Sequence, residues 1–157
     1  MSETYTTGQT AEVIKTDPGL LERWATRRIL SKGPRSPGHG RRRYTAEQVV
    51  GFGWIVALVN YGLPPSEAGQ IVQAMDLASQ FAGRTGLTVV RENSTPDEGE
   101  LVEDIQFVGN DYYEAAVVDA DALPRVFAAA GGPVIVIDAA AIERTIREKL
   151  DELSADG

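Results

Sequence analysis

Residues Thr7–Arg28, TGQTAEVIKTDPGLLERWATRR, decide the fold of the N-terminal half. Thr7 is a good N-cap for a short helix from Gly8 to Ile14, in which Ala11, Val13 and Ile14 supply apolar contacts. Lys15 and Thr16 then form a turn. Asp17 is a second N-cap and Pro18 stands at the first helical position, where its missing N–H removes no intrahelical bond, so a second helix is predicted from Pro18 to Arg28. At about 100° per residue, Leu20, Leu21, Trp24 and Arg28 fall on one side of that helix, and Gly19, Glu22, Arg23 and Thr26 on the other. One face packs, with Trp24 in the core, and the other is polar. Two short helices joined by a tight turn, the second with a polar face, satisfy the helix-turn-helix pattern, whose second helix enters the major groove.

Downstream, Gly33-Pro-Arg-Ser-Pro-Gly-His-Gly-Arg-Arg-Arg-Tyr44 is punctuated by glycine and proline and suits a two-stranded hairpin or extended wing. Thr45-Ala-Glu-Gln48 is a capping box that opens a long apolar helix to Asn60. Gly62 ends it, and Pro64-Pro-Ser-Glu67 starts another helix that runs to Ala82. Gly83 and Gly86 flank a linker, so domains are expected over 1–84 and 85–157.

The net charge of −8 argues by itself against a nucleic-acid partner. The average hides two opposite halves, because residues 1–84 carry +3 and residues 85–157 carry −11. Between Lys15 and Arg43, nine basic residues face only Asp17 and Glu22. Arginines on a wing would reach backbone phosphates.

The absence of cysteine excludes disulfides, thiolate metal sites and cysteine nucleophiles. The N-terminus has no basic flank before an apolar run, and no stretch approaches the length of a membrane span, so a cytoplasmic protein is expected. His39, the single histidine, falls in the wing and cannot anchor a multi-histidine metal site or a catalytic triad. No nucleophile, metal set or carboxylate pair stands in a recognisable arrangement, so neither enzymatic activity nor a cofactor is expected.

Tyr5-Thr-Thr-Gly-Gln-Thr-Ala-Glu-Val13, Leu21-Glu-Arg-Trp24, Ile29-Leu30, Gly40-Arg-Arg-Arg-Tyr-Thr45 and Gly62-Leu-Pro-Pro-Ser-Glu67 resemble, in order and spacing, the DNA-binding domain of the MerR family. The resemblance implies a winged helix-turn-helix in a bacterial transcription regulator that binds a pseudo-palindromic operator as a homodimer. It aligns Arg23 with a position that contacts DNA, and Arg42 and Tyr44 with wing residues that reach phosphate; Arg41 and Arg43 add charge. The candidate DNA-binding set is Thr7, Pro18, Gly19, Glu22, Arg23, Thr26, Arg27, Arg41, Arg42, Arg43 and Tyr44. Three departures stand out. Lys15-Thr16 occupies a turn that usually holds a small residue or glycine and then an apolar one, Glu22 stands where a basic residue is frequent, and Arg28 replaces a common glycine. Glu22 has two readings, as an acceptor for cytosine N4 or as an acidic residue favoured by the helix dipole.

The resemblance stops near Arg84, where the family usually continues into a long dimerising helix. Here Leu87–Arg91, Leu101–Val108, Tyr112–Asp119 and Pro133–Asp138 read as strands, and Asp121–Ala130 and Ala139–Leu153 as helices. That predicts a small α+β domain for dimerisation or for binding an effector or partner. The acidic run Glu92, Asp97, Glu98, Glu100, Glu103, Asp104 matches no calcium loop and reads as a solvated segment. Tyr112, Tyr113 and Phe107 read either as packing or as an aromatic pocket. In the last helix, Ile142, Ile146, Leu150 and Leu153 form an apolar stripe that packs on its own sheet or on a second subunit, and they are the candidate dimerisation residues.

A sequence-specific regulator is therefore expected, with duplex DNA as its partner, and contact of the acidic half with RNA polymerase or another protein is left open. A second reading is an architectural or accessory DNA-binding protein, excisionase-like or chromosome-organising, that recruits a protein through its acidic half.

Overall fold

The computed structural model describes residues 3–30, 34, 42–82, 86–92, 105, 107–110, 112–130 and 133–155. They fall into two compact units, 1–69 together with 141–157, and 70–140. This division differs from a boundary at residue 84, because the end of the chain returns to the first unit.

In the first unit, β1 (Thr4–Thr6) leads into α1 (Thr7–Ile14), followed by α2 (Pro18–Thr26). β2 (Arg43–Thr45) pairs antiparallel with β1, and α3 (Ala46–Asn60) follows it directly. α4 (Pro65–Ala82) begins in this unit, and α6 (Ala139–Ala155) ends in it. Helix α1 is capped by Thr6, not Thr7. The Thr6 hydroxyl accepts from the Gln9 N–H at 3.0 Å, and the Gln9 side chain accepts from the Thr6 N–H at 2.9 Å, so Gln9 completes a capping box one residue earlier. Thr45 and Gln48 repeat the same box on α3.

Helix α2 opens as expected, with the Asp17 carboxylate accepting from the N–H groups of Gly19 and Leu20. It closes at Thr26, two residues before the predicted end. Arg28 takes a left-handed backbone, φ 53°, and the N–H groups of Arg28 and Ile29 turn back to the carbonyls of Ala25 and Trp24. That is a Schellman closure, usually made by glycine. Lys15 closes α1 in the same way, φ 58°, with its own N–H and that of Thr16 on Glu12 and Ala11. α3 is closed by a glycine, Gly62, φ 111°.

Helix α3 is buried nearly all round, through Val49, Val50, Phe52, Ile55 and Leu58. Gly53 on this helix leaves room for α6. A side chain there would overlap the Ile146 δ-methyl group and touch Ile14. Ile146 and Leu150 are thus buried within the chain, 5% and 2% exposed, while Ile142 and Leu153 are half-buried. The stripe read as lying on its own sheet or on a second subunit places Ile146 against α3 instead.

The second unit holds an antiparallel sheet of β3 (Leu87–Glu92), β4 (Val108–Gly109), β5 (Tyr113–Val118) and β6 (Val134–Asp138), in the order β4-β5-β3-β6. β5 and β6 flank β3 and are joined through a 3-10 turn, Ala120–Ala122, and α5 (Leu123–Ala130). Val89, Ala116 and Val118 on one face form a core with Ala122 and Val126. Thr88, Val90, Ala115, Val117 and Ile137 on the other face are also buried, which accounts for apolar runs without clean alternation. Most of the expected strand Leu101–Val108 lies outside the described residues.

Candidate nucleic-acid interface

The core holds α2 by one side. Leu21, Trp24 and Ala25 are buried, Trp24 at 3% exposure, so Trp24 is a core residue as its helical position predicted. On the opposite side Pro18, Gly19, Arg23, Thr26 and Arg27 are exposed, and Glu22 is half-buried. Arg28 is exposed too, because its left-handed turn lifts it from the side that carries Leu21 and Trp24. Three arginines on or just beyond one short helix therefore reach solvent together.

β2 brings the end of the basic segment to this helix, in a manner sequence reasoning did not anticipate. Arg42 points inward, and its side chain is only 4% exposed. One terminal nitrogen, Nη1, donates to the Glu22 carboxylate at 2.7 Å, to the Thr26 hydroxyl at 3.0 Å and to the Glu22 main-chain carbonyl at 3.2 Å. The Thr7 hydroxyl donates to the other Glu22 carboxylate oxygen at 3.4 Å. Tyr44 is fully buried and packs edge-on to Phe52, with ring centroids 5.9 Å apart. Its phenol pKa is raised, first by burial and then by the charge of Glu22, against lowering by Thr7 and Arg42. Arg42 and Tyr44, expected at phosphate, are thus interior residues; a buried guanidinium needs a carboxylate partner, and Glu22 supplies it. Arg43 does lie exposed, with its guanidinium donating to the Thr4 hydroxyl and carbonyl at 3.0 Å. Arg41 and His39 lie outside the described residues.

One signal in the sequence could have revealed the pair. Glu22 is an unusual acid in a basic region, and an arginine buried elsewhere in that region needs such a carboxylate. The one periodic cue is that Arg42 stands two residues before the core residue Tyr44, on the same side of the extended chain, whereas Arg43 between them alternates outward.

Among its described residues the second unit presents no comparable surface. Phe107 is covered by the Arg91 guanidinium, 3.7 Å from its ring centroid, and Arg91 is paired with Glu114 at 2.6 Å. Tyr112 stands 68% exposed beside the turn in which Asn110 accepts from the N–H groups of Tyr112 and Tyr113. Phe107 thus stacks under Arg91, while Tyr112 stands in solvent. Among the described residues no group of three His, Cys, Asp or Glu side chains could hold a metal, and no helix is long and apolar enough to cross a membrane. Most of the acidic run lies outside the described residues.

No curated protein matches the chain. Residues 5–75 match the family described as MerR HTH family regulatory protein, a family of DNA-binding transcription regulators. The match spans β1 to the middle of α4 and includes both helices of the helix-turn-helix and the Glu22–Arg42 pair. Residues 5–75 of this chain are a MerR-family helix-turn-helix domain.

Proposed function

We propose that the chain is a sequence-specific transcription regulator that binds a pseudo-palindromic operator as a homodimer. α2 lies in the major groove, Arg23 reads base edges, and Arg27, Arg41 and Arg43 meet phosphates. The observation that carries this reading is the split of α2 into a buried face around Trp24 and an exposed face around Gly19, Arg23 and Arg27. Gly19 near the helix start adds no side chain between the backbone and the groove, and Arg23 stands one turn further on. Two-fold pairing belongs to the proposal because a single short helix reads too few base pairs for a specific site. Ile146 and Leu150 are already buried in the chain, so a second copy meets other residues, with Ile142 and Leu153 the members of that stripe still partly exposed.

Selection from a pool of randomised duplexes tests the reading. The wild-type chain should enrich one inverted-repeat sequence. Broad enrichment with weak base preference would point instead to an architectural binder.

A further inference from the structure

We propose that Glu22 is a positioning residue of the DNA interface and not a reader of bases. It latches the start of β2, and with it Arg43, to the recognition helix. The inference rests on the DNA-binding reading above and deepens it.

Glu22 sits on the groove-facing side of α2 between Gly19, Arg23 and Thr26, the position from which a carboxylate could accept from cytosine N4. Both of its oxygens are engaged, one by Arg42 at 2.7 Å and the other by Thr7 at 3.4 Å. The Thr26 hydroxyl, one turn on, accepts from the same Arg42 nitrogen. The two polar groove-side residues flanking Arg23 thus face a guanidinium that is 4% exposed. Drawing Glu22 to a base would leave that charge buried without its counter-ion, and burial of an uncompensated charge opposes the move. The latch joins α1 through Thr7, α2 through Glu22 and Thr26, and the entry to β2 through Arg42. Of the side chains around Gly19, Arg23 is left to discriminate bases.

A charge at this site also explains the unusual acid. An arginine that turns inward just before β2 needs a carboxylate on the facing helix. A basic residue at position 22 would repel it.

Glu22→Gln, Arg42→Gln and the double variant test the latch, with Arg42→Lys in place of Arg42→Gln if the latter does not fold. In thermal unfolding without DNA, each single variant should melt lower by about 5–10 °C, and the double variant no lower than the worse single. In duplex selection, Glu22→Gln should enrich the same base sequence as the wild type. Its log-affinity against log-salt slope should become shallower by about one, because a displaced Arg43 loses its phosphate contact, whereas removal of an acid alone leaves that slope unchanged or steeper. Additive unfolding effects would overturn the latch. A preference altered about 5- to 150-fold at one base pair would make Glu22 a reader. An unchanged slope would reduce the pair to a structural contact and overturn the positioning role. Coupled unfolding in a wild-type chain that binds no duplex would sink the DNA reading and the interface role together.

Discussion

The two units use charge in opposite ways. In the first, Arg42 is buried against Glu22 while Arg23, Arg27, Arg28 and Arg43 stand in solvent, so one arginine builds the surface and the others form it. In the second, Arg91 stacks on Phe107 and pairs with Glu114, the residue opposite it on the neighbouring strand. Two arginine–glutamate pairs of similar length, 2.7 and 2.6 Å, therefore differ in consequence because only one sits beside a row of exposed bases-reading and phosphate-binding candidates. A salt bridge indicates function through its neighbours, not through its own geometry.

The sharpest way to break this comparison is to cut the first unit at its least expected member, α6. Ile146→Ala removes the side chain that fills the space over Gly53, and the first unit should lose about 2–4 kcal/mol of stability, measured by urea unfolding. If Ile146 instead served only a second subunit, the variant would keep its stability and lose dimer in light scattering. A smaller effect is expected from Arg91→Ala. It leaves Glu114 partly buried without its partner and uncovers Phe107, at a cost of about 2 kcal/mol, with DNA affinity unchanged. A loss of DNA affinity in a stable Arg91→Ala protein would erase the functional distinction between the two pairs.

The smallest effect has the opposite sign. Lys15 holds a left-handed backbone that glycine adopts without steric cost, so Lys15→Gly should raise stability by about 0.5–1 kcal/mol, read as a higher unfolding midpoint. A lower midpoint would show that the lysine itself contributes to the closure of α1, through its charge at the helix C-terminus.

Legibility followed the same division. The first unit carries residues whose local chemistry has few alternatives, such as Asp17-Pro18 at a helix start, Thr45 with Gln48 in a capping box, and Gly62 at a helix end. These placed α1 to α4 within a few residues. The misses had physical causes. Thr6 and Thr7 are both capable caps, and only Gln9, three residues after Thr6, decides between them. A glycine signal for helix ends cannot see Lys15 and Arg28 in left-handed turns. The inward turn of Arg42 adjoins the pairing of residues 4–6 with 43–45, a contact about 39 residues apart, and the one local pointer to it is its two-residue offset from Tyr44. In the second unit both sheet faces are buried, so alternation was weak, yet the β3, β5 and β6 runs were still recognisable by their Val, Ile and Ala content. The docking of α6 on α3 was invisible because an amphipathic stripe states that it will be covered, not by what.

The central claim is that the exposed face of α2 reads DNA through Arg23. Its most direct test compares the affinities of the wild-type and Arg23→Ala proteins for a selected duplex and for unselected DNA at one fixed salt concentration. The wild type should prefer the selected duplex by about 1,000-fold or more, and Arg23→Ala should cut that ratio by about 5- to 150-fold while both proteins hold unselected DNA with nearly equal strength. An unchanged ratio in a folded Arg23→Ala protein would contradict the account.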